Sequence, residues 1–393
     1  MHNRNLLHEA IPLPAAVVYQ SRLKNNLHWM QTFADHKGVV LAPHGKTTMT
    51  PRFFQWQKAA GAWGLSVATV SQAQAAADAG IGRILMANQL VGRANMAAVS
   101  ELLTQSETLL YCLVDNVDNV RELGGFFAAR QQVLPVLIEV GVVGGRCGCR
   151  TADEVLTLAE AVAQQPALQL VGVETYEGMV RGDQPEIAVR QHLTRVRDLT
   201  LRLLAEDRFD TEQVILTGAG SAWYDLVADI FGSTGDPRLL PVLRPGCYLI
   251  HDQGIYAQAQ AQVRARLGGH CPAPGDLQSS LEVWAYVQSL PEPGMAILTL
   301  GKRDAAFDAG LPQPVLHARP GPDCQARTAP ADWQLVKIMD QHSIMHTRTD
   351  HDLRVGDIIA LATSHPCLTF DKWREIVMID DDYNVIEEVP TCF

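Results

Sequence analysis

Long hydrophobic runs are missing from the 393-residue sequence: its apolar stretches break within about ten residues, short of the roughly 20 that a transmembrane helix needs. The opening Met1-His2-Asn3-Arg4-Asn5 leads into acid, proline and only a short apolar patch, so neither a membrane span nor a secretory signal is expected. Basic clusters are missing too. The net charge of -11 is spread along the chain, which argues against nucleic acid and anionic membranes as partners and leaves a small molecule as the substrate class. Cysteine is sparse. Eight Cys in a chain of this length, without regular spacing, argue against a disulfide framework and for a reducing, cytoplasmic setting. The close pair Cys147-Gly148-Cys149 lacks the two-residue spacer of redox and zinc motifs and reads as small residues in a tight loop. There is no internal repeat and no low-complexity tract.

What remains is a balanced globular composition, 47% apolar and 19% charged, long enough for one domain of about 250 residues and a second of about 100 to 150. Short apolar runs recur at Val39 to Pro43, Leu65 to Ala68, Arg83 to Ala87, Leu109 to Asp115, Val133 to Val140, Leu170 to Tyr176, Val214 to Thr217 and Val242 to Tyr248. Near-continuous blocks of this length are the pattern of strands buried on both faces of a parallel sheet. Between them lie helical stretches, such as Ser71 to Ala79 behind a Ser cap candidate and Pro185 to Ala205 behind Asp183 and Pro185. The spacing predicts an α/β fold with a (β/α)8 TIM-like barrel over 20–258, with an open doubly wound sheet as the alternative. Past about Gln260 the chain becomes rich in Pro and Gly (Cys271-Pro272-Ala273-Pro274-Gly275, Pro291-Glu292-Pro293-Gly294, Arg319-Pro320-Gly321-Pro322) and alternates polar and apolar residues, which predicts an antiparallel β domain. Strand candidates there are Ser280 to Gln288, Arg354 to Leu361 and Glu375 to Asp380, the last running into a hairpin turn over Asp380 to Asn384.

Barrel chemistry sits at the C-terminal ends of the strands, and reactive residue types follow the predicted runs. Lys46 follows the first. A lysine there loses hydration of its ammonium, a cost that covalent use or pairing offsets, and desolvation lowers its pKa toward the free amine that a Schiff base needs. Taken alone, it reads equally well as a side chain snorkelling to the mouth. Thr217-Gly218-Ala219-Gly220-Ser221 offers approachable backbone N–H groups and a hydroxyl ahead of a helix start, which suits a phosphate, although Gly-rich turns after strands are common. Arg146, among Gly141, Gly144, Gly145 and Gly148, either neutralises a phenolate or carboxylate or is a surface cation on a mobile loop. Tyr176 is a core aromatic or faces a ligand. His365 and Cys367, one residue apart on a segment read as extended, point to the same side and can both reach one zinc ion, while a lone H-x-C is more often coincidence. His342 is a structural histidine or orients water or substrate.

Together, Pro43-His44-Gly45-Lys46-Thr47, Leu65-Ser66-Val67-Ala68-Thr69, Glu139-Val140-Gly141 to Arg146, Tyr176-Glu177-Gly178, Gly218-Ala219-Gly220-Ser221, Arg244-Pro245-Gly246 and His365-Pro366-Cys367 resemble, in that order, the fold-type III pyridoxal phosphate (PLP) enzymes. Within them the chain is similar to the D-serine dehydratase and D-threonine aldolase family, related to the alanine racemase barrel. The resemblance implies an alanine racemase-like barrel, a β domain formed by 1–19 and 259–393 that carries the metal site, and a homodimer. It makes Lys46 the Schiff-base lysine, places Gly218, Gly220 and Ser221 at the phosphate and Arg146 and Tyr176 on the cofactor, and makes His365 and Cys367 metal ligands; Thr217, which opens the glycine-rich turn, is read as a cofactor contact with them. In the family, H-x-C accompanies zinc-dependent dehydratases and H-x-D accompanies aldolases with a harder cation such as Mn2+ or Mg2+; thiolate softness favours Zn2+. The implied reaction is dehydration of a D-3-hydroxy amino acid such as D-serine or D-threonine to a 2-oxo acid and ammonia, with Lys46 as the base. The alternative is retro-aldol cleavage to glycine and an aldehyde, with His342 helping to deprotonate the β-hydroxyl. A racemase and a non-catalytic PLP-binding protein are the lesser alternatives. Thr47-Thr48-Met49 and Asp340-Gln341-His342-Ser343 depart from the family pattern and bear on the substrate side chain.

Overall fold

A computed structural model describes residues 4–393 except 106, 219, 269–272 and 322–323, so Met1-His2-Asn3, Ala219 of the glycine-rich turn, and Cys271, Pro272 and Pro322 of the Pro-rich stretches lie outside the described residues. Strand β1 (Ala15–Tyr19) leads into helix α1 (Gln20–Lys37), after which strands and helices alternate. The strands are β2 (Val40–Leu41), β3 (Leu65–Val67), β4 (Arg83–Gln89), β5 (Leu109–Val114), β6 (Leu134–Glu139), β7 (Leu168–Glu174), β8 (Val214–Gly218) and β9 (Leu239–Leu243). The helices between them are α2 (Pro51–Ala59), α3 (Val70–Asp78), α4 (Arg93–Gln105), α5 (Val117–Ala128), α6 (Ala152–Ala163), α7 (Pro185–Ala205) and α8 (Tyr224–Gly232). All pairings among β2 to β9 are parallel, in the order β2-β9-β8-β7-β6-β5-β4-β3. A parallel bridge between His44 and Ser66 and the bond from Ser66 N–H to Pro43 O (2.8 Å) join β2 to β3 at the remaining seam. The sheet is therefore a nearly closed eight-stranded barrel and not an open one.

Two apolar layers hold it. Ala42, Leu85, Leu113, Leu137, Val171, Ile215 and Val242 fill the barrel interior, and a larger layer packs the outward strand faces against the helices. Helix starts follow local chemistry. Thr151 and Glu154 form a reciprocal capping box on α6, and Pro185 opens α7 at the position where its missing N–H costs nothing. Helix α3 is capped by Thr69, whose hydroxyl accepts from Gln72 N, and not by Ser71. Strand β9 ends at Leu243, before the Pro245-Gly246 pair, so Arg244 to Tyr248 form the loop beyond it and not its C-terminal half as the sequence suggested.

After α9 (Ile255–Leu267), which is tied to α8 by the ion pair of half-buried Arg266 with buried Asp225, the chain builds the second sheet. Its strands are β10 (Leu281–Glu292), β11 (Met295–Leu298), β12 (Gln313–Ala318), β13 (Arg327–Thr328), β14 (Gln334–Ile338), β15 (Ser343–His346), β16 (Ile358–Ala362), β17 (Glu375–Ile379) and β18 (Val385–Pro390). Pairing is antiparallel throughout except where β1 lies parallel to β17. Thus the start of the chain completes the C-terminal domain. Among the described residues no helix is long and apolar enough to cross a membrane.

Glu282 sits where the domains meet. Its carboxylate is buried and accepts from Tyr19 Oη (2.8 Å), Trp284 Nε1 (3.0 Å) and, from α1, Arg22 Nη1 (3.3 Å). Replacing it with alanine strands a buried hydroxyl, an indole N–H and a cation, so Glu282→Ala is expected to cost about 3 kcal/mol or more of stability. Thermal unfolding would show a lower midpoint for that variant and a smaller drop for Glu282→Gln, which still accepts from both rings; a Glu282→Ala midpoint equal to wild type would show that the junction does not depend on this carboxylate.

Candidate active site

The strand ends deliver a cluster of polar side chains to one mouth of the barrel. After β2, residues Gly45–Thr47 make one turn of 3-10 helix; a Cβ on Gly45 would come within 2.9 Å of Leu65 Cδ2. Lys46 projects from this turn with open surface on one side. Its other sides are walled closely enough that desolvation lowers its pKa; the thiols of Cys367 and Cys247 pull it up, and Arg146 and Arg244 push it further down. A larger share of free amine near neutral pH follows. Beside it, Thr47 Oγ1 lies 3.4 Å from Cys367 Sγ and 3.9 Å from Cys247 Sγ, and the two sulfurs are 3.4 Å apart.

On the opposite side, β6 and β7 end in Glu139 and Glu174, both buried. Arg244, just past β9, is also buried; its guanidinium contacts Glu174 and donates to Thr175 O at 3.1 Å. Burial lifts the Glu174 carboxyl, with Arg244 opposing. Three atoms here are buried without a hydrogen-bond partner: Arg244 Nε, Glu174 Oε2 and His44 Nδ1. Burial also holds the His44 imidazole well below its ordinary value, so it is neutral. Unsatisfied polar atoms grouped at a strand-end mouth are what a polar ligand satisfies.

The glycine-rich turn lies beside them. Ser221 Oγ accepts from Cys247 N–H at 3.1 Å, Gly220 N–H donates to Glu177 at 2.7 Å, and the turn leads within three residues into α8. A Cβ at Gly220 would meet the Tyr176 ring at 2.8 Å, and one at Gly246 would meet Thr47 Oγ1 at 2.6 Å, so both positions need glycine to keep the backbone accessible. Thr217 differs from the others: its hydroxyl lies inside β8 and donates to Val242 O at 2.9 Å, which ties two strands together. Arg146 stacks over Tyr176, 4.5 Å from guanidinium carbon to ring centroid.

From the second domain comes Pro366–Phe370, helix α10, with His365 at its N-cap. The extended reading of Ser364 to Cys367 is therefore corrected. Pro366 at the first helical position starts a turn, and that turn carries Cys367 toward Thr47. His365 Nδ1 is bonded to Asp308 Oδ2 at 2.6 Å, and contact with Cys367 first, then Asp308, raises the imidazole to about 9. The Cys247 thiol hydrogen bonds to Cys367 and holds it well below the usual thiol range, and is itself pushed well up by that bond and by burial. His342 stands apart. It is exposed on the turn between β14 and β15, and among the described residues no hydrogen bond or ion pair joins its side chain to the Lys46 cluster. A separate group of metal-capable side chains, Asp115, Glu139 and Cys147, has donor atoms within 4.8 Å of one another. Its carboxylates are already engaged, Asp115 by Gly148 N–H (2.8 Å) and Glu139 by Gln89 (2.6 Å).

The fold thus gathers Lys46, Arg146, Tyr176, Gly218, Gly220, Ser221, His365 and Cys367 at one mouth. The sequence reading assigned no role to His44, Glu174, Arg244, Cys247 or Asp308. Arg244-Pro245-Gly246 was visible as a motif, whereas Asp308 lies 57 residues from its histidine and only folding shows the contact. A phosphorylated aldehyde cofactor such as PLP fits these residues: an amine with lowered pKa to anchor it, a hydroxyl and side-chain-free backbone for its phosphate, and unsatisfied buried polar atoms beside them.

Comparison with known proteins agrees. Residues 18–249 match the family model described as "Alanine racemase, N-terminal domain", and residues 280–379 match the "Putative serine dehydratase domain". A D-threonine aldolase of Arthrobacter sp is 26% identical over 383 residues, 96% of this chain and 91% of that one. The crystal structure of D-threonine aldolase from Filomicrobium marinum superposes with a TM-score of 0.81 at 25% identity, covering 99% of this chain and 97% of the other. D-threo-3-hydroxyaspartate dehydratase from Delftia sp. HT23 superposes with a TM-score of 0.77 at 19% identity, covering 98% of each chain. A D-threo-3-hydroxyaspartate dehydratase has also been solved with a histidine and, separately, a cysteine changed to alanine at positions two apart, the cysteine variant in a metal-free form. With more than half its length matched, the chain belongs to the family of the alanine racemase N-terminal domain, the fold-type III pyridoxal phosphate enzymes, in the branch that carries a serine dehydratase domain.

Proposed function

We propose that the protein is a PLP-dependent lyase acting on a D-3-hydroxy amino acid, and that within this class it is a zinc-assisted dehydratase yielding a 2-oxo acid and ammonia. The observation that carries the reading is the meeting of the second domain with the barrel mouth: Cys367, with His365 and its Asp308 partner behind it, stands 3.4 Å from the hydroxyl of the residue next to Lys46. PLP supplies an electron sink for charge developing at the amino acid's Cα, and zinc supplies a Lewis acid for a poor β-hydroxyl leaving group. Lys46, its pKa lowered by desolvation, would anchor the cofactor and would serve as the base for the α proton. Ser221 and the glycine-rich turn around Gly218 and Gly220 would hold the phosphate, and Arg146 and Tyr176 would flank the ring. Asp308 fixes the His365 ring through Nδ1, so that its second nitrogen would be the metal donor, as in a carboxylate–histidine–metal arrangement. The two-residue spacing of the histidine and cysteine altered in a D-threo-3-hydroxyaspartate dehydratase, equal to that of His365 and Cys367, supports dehydration.

Retro-aldol cleavage is the second reading, favoured by the near full-length similarity to the Arthrobacter aldolase. Product analysis with D-serine, D-threonine and D-threo-3-hydroxyaspartate separates the two. A 2-oxo acid and ammonia in equal amounts are expected, at a rate that falls with a zinc chelator and returns with Zn2+; glycine and an aldehyde as the main products would transfer the assignment to aldolase.

The anchor is tested separately. Borohydride reduction of the PLP-loaded protein followed by peptide mapping is expected to place the cofactor's mass on Lys46, and Lys46→Ala is expected to lose both the label and the visible absorbance of the bound cofactor. Label on any other lysine would remove Lys46 from its role.

A further inference from the structure

Cys247 is the chain's second thiol at the mouth, and neither the H-x-C pair nor the phosphate turn accounts for its side chain. Its surroundings are polar. Cys112, by contrast, lies wholly inside the apolar layer under the helices. The Cys247 sulfur faces Cys367 Sγ at 3.4 Å and Thr47 Oγ1 at 3.9 Å, and the Tyr256 hydroxyl hydrogen bonds to it. Two thiolates held tetrahedrally by one zinc ion lie about 3.8 Å apart, from Zn–S distances of about 2.3 Å, so this pair reaches that geometry by opening a few tenths of an ångström.

We propose that Cys247 is a third protein donor to the metal held by His365 and Cys367, giving a site of two thiolates and one imidazole with a fourth position left open. The inference rests on the metal-assisted reading above and deepens it. Three protein ligands and an open place are the pattern of catalytic zinc, whereas two ligands hold the ion weakly. Two thiolates also select zinc over harder divalent cations. His365 and the two sulfurs are not yet all within 4.8 Å of one another, so the imidazole completes the set by turning about its side-chain torsions. Backbone geometry already fixes Cys247: its N–H is held by Ser221 Oγ at 3.1 Å, so one residue meets the phosphate cradle through its main chain and the metal through its side chain.

X-ray absorption at the zinc edge of the PLP-loaded protein carrying one equivalent of Zn2+ tests this without relying on turnover. Two sulfur scatterers per zinc are expected in wild type and one in Cys247→Ser, while Cys324→Ser, in the β domain beside Arg319 and Asp357, keeps two. Competition with a chromophoric chelator should show zinc held at least about tenfold less tightly by Cys247→Ser, a scale that outer-shell changes alone can reach. Should Cys247→Ser not fold, the wild-type sulfur count decides. One sulfur in wild type, or sulfur count and affinity both unchanged in Cys247→Ser, overturns the role of Cys247 and leaves the lyase reading standing; protein that retains no zinc overturns both the role of Cys247 and the zinc-assisted dehydration.

Discussion

Strand β1 is the constraint on which the site depends. It pairs antiparallel with β10 and parallel with β17, so the first ordered strand of the chain is clamped inside the sheet built by the last third. Helix α1 follows it without a linker and packs on the barrel. The second domain is therefore fastened to the barrel from both ends, through β1 to α1 on one side and through α9 on the other. Together with the contacts of Glu282, the passage of β1 into α1 sets the second domain over the mouth. That is how residue 367 comes to lie against residue 47, and why Glu282, accepting from Tyr19 on β1 and Arg22 on α1, matters to a site it does not touch.

Much of this was legible in the order of residues because the barrel strands are continuous apolar blocks, and burial on both faces leaves no other pattern open to them. Helix α7 was readable to its first residue because proline marks a helix start by its own stereochemistry. Legibility failed where a local rule met a competing one. Val242 to Tyr248 reads as a strand by apolar content, yet Pro245 and Gly246 end it at Leu243 and turn Arg244 and Cys247 into loop residues that face the site. Ser364 to Cys367 reads as extended, yet the same proline logic that served α7 turns Cys367 into the start of a helix. Thr217 was read as part of the phosphate turn; in the fold, the register of β8 against β9 brings its hydroxyl to Val242 O.

Contacts between distant segments were not legible at all. Nothing in the sequence links Asp308 to His365, Glu174 to Arg244 or Cys247 to Cys367, because each pair joins elements separated by at least 57 residues. These are also the pairs that set the electrostatics. Arg244 and Arg146 depress the lysine, and the two thiols oppose them.

The two halves of the site share one demand, the loss of a proton, and the fold meets it from two different domains. An amine that serves as a base must be desolvated and near cations, which raises the cost of keeping its own proton. A metal donor must shed its proton, which a neighbouring cation also favours. Arg146 and Arg244 serve the amine from strand ends of the barrel, while His365 and Asp308 reach the same space from the β domain. Cys247 is the exception. It follows β9 in the barrel, its main chain belongs to the phosphate turn, and its sulfur faces the second domain. A residue at that junction couples the fit of the cofactor to the fit of the metal, because any shift of the loop after β9 moves both at once.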